Sequence, residues 1–196
     1  MKNKITVLLC LIFSQLGFAN EKIKYGGSAG LIYSDHLSPY VIATKTNWHF
    51  SANIGYELSE HVAVTMEPGI STSNVGYRMN IDGSDKSERL TTYLNIPIYA
   101  KSILYSRLYL ISGLNYGIKI FEEYKSDVCS LCDSELKKGQ NDFDFLVGMG
   151  INVKISKTIL QPEIKYSIGL PDINKGNNYS GPLYTREIKF GIGISR

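Results

Sequence analysis

Cysteine is scarce in this 196-residue chain, with three in all, and only Cys129 and Cys132 lie beyond the first twenty residues. A disulfide-built scaffold is therefore excluded. Tryptophan occurs once, and no apolar run after Asn20 approaches the ~20 residues a membrane-spanning helix needs. There is no strong charge of either sign. Lys2 and Lys4 belong to the leader, which leaves the remaining basic residues in near balance with 18 acidic ones. That balance offers no electrostatic footprint for nucleic acid. Phosphate-binding glycine loops, a Gly-x-Ser-x-Gly elbow and a His-Glu-x-x-His pair are all missing. What the chain has instead is 18 glycines, 14 tyrosines and a hydrophobic fraction of 43%, too apolar for a disordered protein.

Residues 1–19 read as a secretory signal peptide. Lys2 and Lys4 form its positive end, Ile5 to Phe13 its apolar stretch, and Gly17-Phe18-Ala19 a small-x-small cleavage site. Export without a helical anchor leaves a soluble secreted protein or a membrane β-barrel. Residues 20–196 show no linker and read as one domain.

Period-two alternation runs through nearly all of that domain. It is clearest from Asp142 to Ile155, where Phe143, Phe145, Val147, Met149, Ile151, Val153 and Ile155 share one face. Strands are predicted at Lys22–Tyr33, Asn47–Leu58, Val62–Thr72, Arg89–Ser102, Arg107–Ile120, Asp142–Ile155, Thr158–Leu170 and Tyr184–Ser195. The connections alternate between tight turns (Ser59–His61, Ile103–Ser106, Ser156–Lys157) and long loops (Ser34–Thr46, Ser73–Glu88, Phe121–Asn141, Pro171–Leu183). An even strand number with long loops at one end describes an all-β, eight-stranded antiparallel up-and-down transmembrane barrel in the outer membrane. A parity change after Thr72 predicts a bulge there, and Pro68, Pro97 and Pro162 predict local bulges near the short turns.

Three features turn the apolar face toward lipid. Glycines crowd the polar face (Gly26, Gly30, Gly55, Gly69, Gly113, Gly117, Gly148, Gly150, Gly169, Gly191 and Gly193), as a narrow bore requires. Tyr33, Trp48, Phe50, Tyr116, Phe143, Phe145, Tyr166 and Tyr184 gather on the apolar face near the long-loop rim, as a membrane girdle does. Charges of both signs fall together on the polar face, and Glu67, Glu163, Lys165 and Lys189 are expected at the centre of a lumen network. A soluble barrel binding an apolar ligand would reverse the faces.

The motifs Asn53-Ile54-Gly55-Tyr56-Glu57-Leu58-Ser59, Met66-Glu67-Pro68-Gly69 and Tyr93-Leu94-Asn95-Ile96-Pro97 with Lys101 resemble the PorT-like outer-membrane β-barrel proteins. So do Gly113-Leu114-Asn115-Tyr116-Gly117, Gln161-Pro162-Glu163 with Tyr166, and the closing Phe190-Gly191-Ile192-Gly193-Ile194. The resemblance implies an eight-stranded barrel in the outer membrane of a diderm bacterium, in a family whose namesake takes part in secretion.

Candidate chemistry is sparse. Cys129 and Cys132, in the longest loop, are read as a local disulfide, with redox-active thiols as the alternative. Zinc would need two more ligands than the pair supplies. His36, beside Asp35 and Ser38, and His49, inward near Asp142 and Asp144, are the residues an outer-membrane barrel enzyme acting on lipid or peptide would use; His61 lies in a tight turn. The expected role is non-enzymatic: a structural, binding or secretion-related barrel, monomeric and cofactor-free. It is embedded in outer-membrane lipid and offers its loops to an envelope or extracellular protein.

Overall fold

The computed structural model describes residues 22–36, 41–44, 46–78, 86–105, 107–126, 141–170 and 185–196. The chain forms the strand segments β1 (Ile23–His36), β2 (Val41–Thr44), β3 (Thr46–Glu57), β4 (Val62–Met66), β5 (Gly69–Arg78), β6 (Lys86–Ile103), β7 (Leu108–Ser126), β8 (Asp142–Ile151), β9 (Val153–Ile155), β10 (Thr158–Gly169) and β11 (Thr185–Ser195). The pairs β2–β3, β4–β5 and β8–β9 are each one stave with a short interruption, so the segments make eight antiparallel staves. The sheet closes on itself: Gly30 lies opposite Gly191 of β11 on one side and opposite His49 of β3 on the other. Closure removes the free edges that an open sheet would leave unpaired in a bilayer.

Alternation places the two faces in opposite surroundings. Leu31, Phe50, Ile98, Leu114, Ile164, Phe190 and Ile192 project outward and are exposed, Phe50 at 60%. Asn47, Asn53, Glu67, Asn115, Asp144, Lys165 and Glu187 project inward and are buried. This inverts the arrangement of a water-soluble protein and is the arrangement of a barrel solvated by lipid. The soluble-barrel reading fails here, because the apolar face that would hold a ligand points out. Tyr33, Trp48, Phe50, Tyr116, Phe143, Phe145 and Tyr166 are all exposed on the outer surface. Cross-strand pairing sets Tyr116 beside Phe143, and the Trp48 and Phe50 rings lie 5.4 Å apart. Tyr184 is outside the described residues.

The strands reach further than their apolar alternation. Pairing of β5 with β6 continues to Arg78 opposite Lys86, and β6 with β7 to Ser87 opposite Ser126. Beyond the girdle neither face meets lipid, so the alternation lapses while main-chain hydrogen bonding carries on. The bulge expected after Thr72 is absent from the β5–β6 ladder, which runs unbroken from Gly69 to Arg78. It lies on the other side of the stave, where the register shifts by one residue between Ser71 opposite His49 and Val75 opposite Thr44, and again between Val41 and Ala43 of β2. A further bulge falls between β6 and β7, where Thr92 opposes Phe121 and Tyr93 opposes Lys119, leaving Ile120 as the additional residue.

The prolines are accommodated by gaps rather than bulges. The β4–β6 ladder ends at Met66 opposite Ile98 and resumes as β5–β6 at Gly69 opposite Asn95, in the same register. Pro68 and Pro97 both fall in that gap, so two missing donors interrupt the ladder once. The Glu67 amide still donates to the Pro97 carbonyl at 3.0 Å, and the Pro68 carbonyl accepts from Ala52 at 2.9 Å. Pro162 faces the Ile151–Asn152 break between β8 and β9, where the Asn152 amide turns to Arg107.

Candidate functional site in the barrel lumen

Inward parity brings the polar residues of successive staves to one axis, and in a bore this narrow they must touch. At mid-height the Glu67 carboxylate accepts from Ser28 (2.6 Å) and Ser51 (2.7 Å) through Oε1, and from Tyr99 (2.6 Å) and Lys165 (2.6 Å) through Oε2. Lys165 Nζ also reaches Glu163 Oε2 at 2.6 Å. Glu163 Oε1 accepts from Tyr109 (2.7 Å) and from Lys101 (2.9 Å). Lys101 lies 3.4 Å from Gln161 Oε1, and Gln161 donates to Asn152 at 2.9 Å. These bonds reach every stave except β11. Two lysines balance two carboxylates, and several neutral donors satisfy the remaining lone pairs, the condition under which a buried ionic group is tolerated.

Toward the long loops a second group forms. Lys189 pairs with Glu187 at 3.0 Å, Asn115 donates to Asp144 at 2.7 Å and to Asn95 at 3.2 Å, and Asn95 donates to Ser71 at 2.6 Å. Lys119 and Glu122 pair at 2.5 Å across the β7 bulge. At the opposite end Lys24 and Glu57 stand 3.9 Å apart and half-exposed, a pair worth little in water.

Glu67, Glu163 and Lys165 thus form one cluster, whereas Lys189 sits nearer the long-loop mouth with Glu187. Lys154 of β9 is exposed rather than lumenal. His49 is inward and buried, and its Nδ1 has no hydrogen-bond partner. The ring occupies space left by two glycines: a Cβ at Gly30 would lie 2.7 Å from its Cε1, and one at Gly191 would lie 3.3 Å from its Nε2. His61 is exposed in its turn. His36 ends β1, but its side chain lies outside the description, as do Cys129 and Cys132. Among the described residues no group of three or more His, Cys, Asp or Glu is spaced to hold a metal ion.

Sequence reasoning missed Tyr99 and Tyr109, the phenols that donate to the two carboxylates. The signal was present for Tyr99, which shares parity with Asn95 and Lys101. Both rings point into the lumen, where Tyr99 and Tyr109 are among the most buried side chains described.

A closed, lipid-facing barrel with a polar, filled interior agrees with comparison to known proteins. The family model described as "Outer membrane protein beta-barrel domain" matches residues 13–175. The chain belongs to this outer-membrane β-barrel family. Solved structures similar to the outer-membrane barrel include Ail of Yersinia pestis in complex with the heparin analogue sucrose octasulfate. That match has 11% identity, covers 89% of this chain and 99% of that one, and has a TM-score of 0.48. Neisserial surface protein A is 8% identical over 89% of this chain and 96% of that one, with a TM-score of 0.46. The N-terminal barrel domain of Pseudomonas aeruginosa OprF is 11% identical, covers 87% and 97% respectively, and has a TM-score of 0.34. No curated protein matches the chain.

Proposed function

We propose that the protein is a rigid outer-membrane scaffold that binds or assembles with another envelope or extracellular protein through its exterior segments. On this reading it is exported by its 1–19 leader, is monomeric in the bilayer, and belongs among the PorT-like barrels whose motifs it resembles. The observation that carries the proposal is a contrast along the barrel axis. The lumen is cross-tied by the Glu67–Lys165–Glu163 cluster, while the β5–β6 and β6–β7 ladders continue past the aromatic rim to Arg78 and Ser126. Such ladders carry Arg78, Lys86 and Ser126 to fixed positions beyond the girdle, the level at which loops on a stiff scaffold do their contacting. Tyr124, the Cys129–Cys132 pair read as a disulfide, and Tyr179 would lie on that surface. On this reading the role is non-enzymatic, the barrel serving as scaffold and its exterior segments as the contacting surface.

The test is affinity capture from the outer-membrane fraction with the full chain and with a variant whose residues 127–140 and 171–183 are replaced by glycine–serine linkers. A specific envelope protein should co-purify with the first and be lost with the second, while both remain folded barrels. An identical set of captured proteins would overturn the reading.

A further inference from the structure

Eight staves enclose a bore that side chains just fill, so any path for ions depends on side chains at the narrowest level. Among the described residues, cavities lie on either side of that level. The one toward the long loops measures about 40 Å³ and is bordered by His49, Asn95, Asn115 and Lys189, with Glu67 and Lys165 among its walls. The other, toward the short turns, measures about 110 Å³ and is bordered by Asn53, Glu57 and Asn152, with Lys101, Tyr109 and Gln161 among its walls. Both are roomy enough for water and are lined in part by polar side chains that can hold it. Between them stands the row of Glu67, Lys165, Glu163 and Lys101 with its two tyrosines.

That row is built as two halves. Glu67 holds Lys165, and Tyr99 donates to the same carboxylate while its ring lies 5.1 Å from Lys165 Nζ. Glu163 holds Lys101, and Tyr109 donates to it while its ring lies 4.8 Å from Lys101 Nζ. One ion contact joins the halves, Lys165 to Glu163 at 2.6 Å, beside a looser approach of Lys101 to the Tyr99 ring at 5.8 Å. If the Lys165–Glu163 contact opens, each lysine keeps a carboxylate and each carboxylate keeps a lysine and a phenol. No charge is stranded, which is the expensive outcome for buried ion pairs.

We propose that this row is an ion gate, and that parting of the Lys165–Glu163 contact joins the two cavities into a wet path for small ions across the outer membrane. The activity does not depend on what the exterior segments bind. It is tested by ion current through planar bilayers in potassium chloride, using the full chain and two variants whose folding is checked by heat-dependent gel mobility. The wild type should be silent apart from brief openings. The pair Glu67→Ala with Lys165→Ala removes one half without stranding a charge and should give sustained unitary steps. Glu163→Gln, which keeps the shape of the side chain, should raise the frequency of brief openings. It decides the matter if the double variant does not fold. A folded variant as silent as the wild type overturns the gate, and so does a wild type that conducts steadily.

Discussion

Lys165 is the residue on which the lumen turns. It is buried, and both of its ion contacts are to carboxylates that are themselves 5% exposed. Removing it alone leaves Glu67 without a counter-ion, and losing one partner of a buried pair costs about 3–5 kcal/mol. Lys165→Ala is therefore expected to lower unfolding stability in urea, measured in lipid vesicles, by about that amount. The double change Glu67→Ala with Lys165→Ala should lower it by less than Lys165→Ala alone, since neither charge is then unpaired. A double variant at least as unstable as the single would show that packing, not charge balance, dominates. The same logic explains the glycines about His49. Their absent side chains are what admit an imidazole between two staves, a trade visible only once Gly30 and Gly191 are known to flank it.

For a strand, cost depends on depth. Ile164 lies midway along β10, facing out between Met149 and Phe190, whereas Ile155 ends β9 beside the Ser156–Lys157 turn. Arginine at the bilayer midplane costs about 2–4 kcal/mol and near an interface about 0–1. Ile164→Arg should therefore destabilise the folded barrel by the larger amount and Ile155→Arg by the smaller, read from urea titrations in vesicles. Equal costs would contradict the placement of β10 across the membrane. The strands also show why boundaries were harder to read than identities. Apolar alternation reports lipid, so it marked Arg89–Ser102 and stopped, although β6 begins at Lys86. Pairing above the girdle leaves no such mark. The bulge at Ile120 was equally hidden, because an extra residue in β7 is defined only by its partner β6.

As a whole, the molecule is a closed ring of hydrogen bonds with its ionic groups inside and its apolar groups outside. Such a ring has no edge from which to unzip. The protein should therefore run on an SDS gel with a different mobility before and after boiling, and it should be recovered with outer-membrane rather than soluble fractions. No heat-dependent shift, together with recovery in the soluble fraction, would contradict the outward apolar face. The antiparallel up-and-down order follows from consecutive hairpins, each stave pairing with its neighbours in the chain, and closure between β1 and β11 adds the one pairing between chain ends.

The sequence by itself determined the stave number, the antiparallel order and which face meets lipid. All three are written in local period-two patterning and in the alternation of short and long connections. It also marked Glu67, Glu163 and Lys165 as inward charges, since parity is local. Only the tertiary structure decided how those charges pair. Stagger between staves sets which residues share a level of the bore, and stagger is a property of the closed ring. Glu67 therefore meets Lys165 and Glu163 meets Lys101 across staves while Lys189 is left to its own-strand neighbour Glu187, two tyrosines turn inward to hold carboxylates, and Pro68 and Pro97 fall into one shared gap.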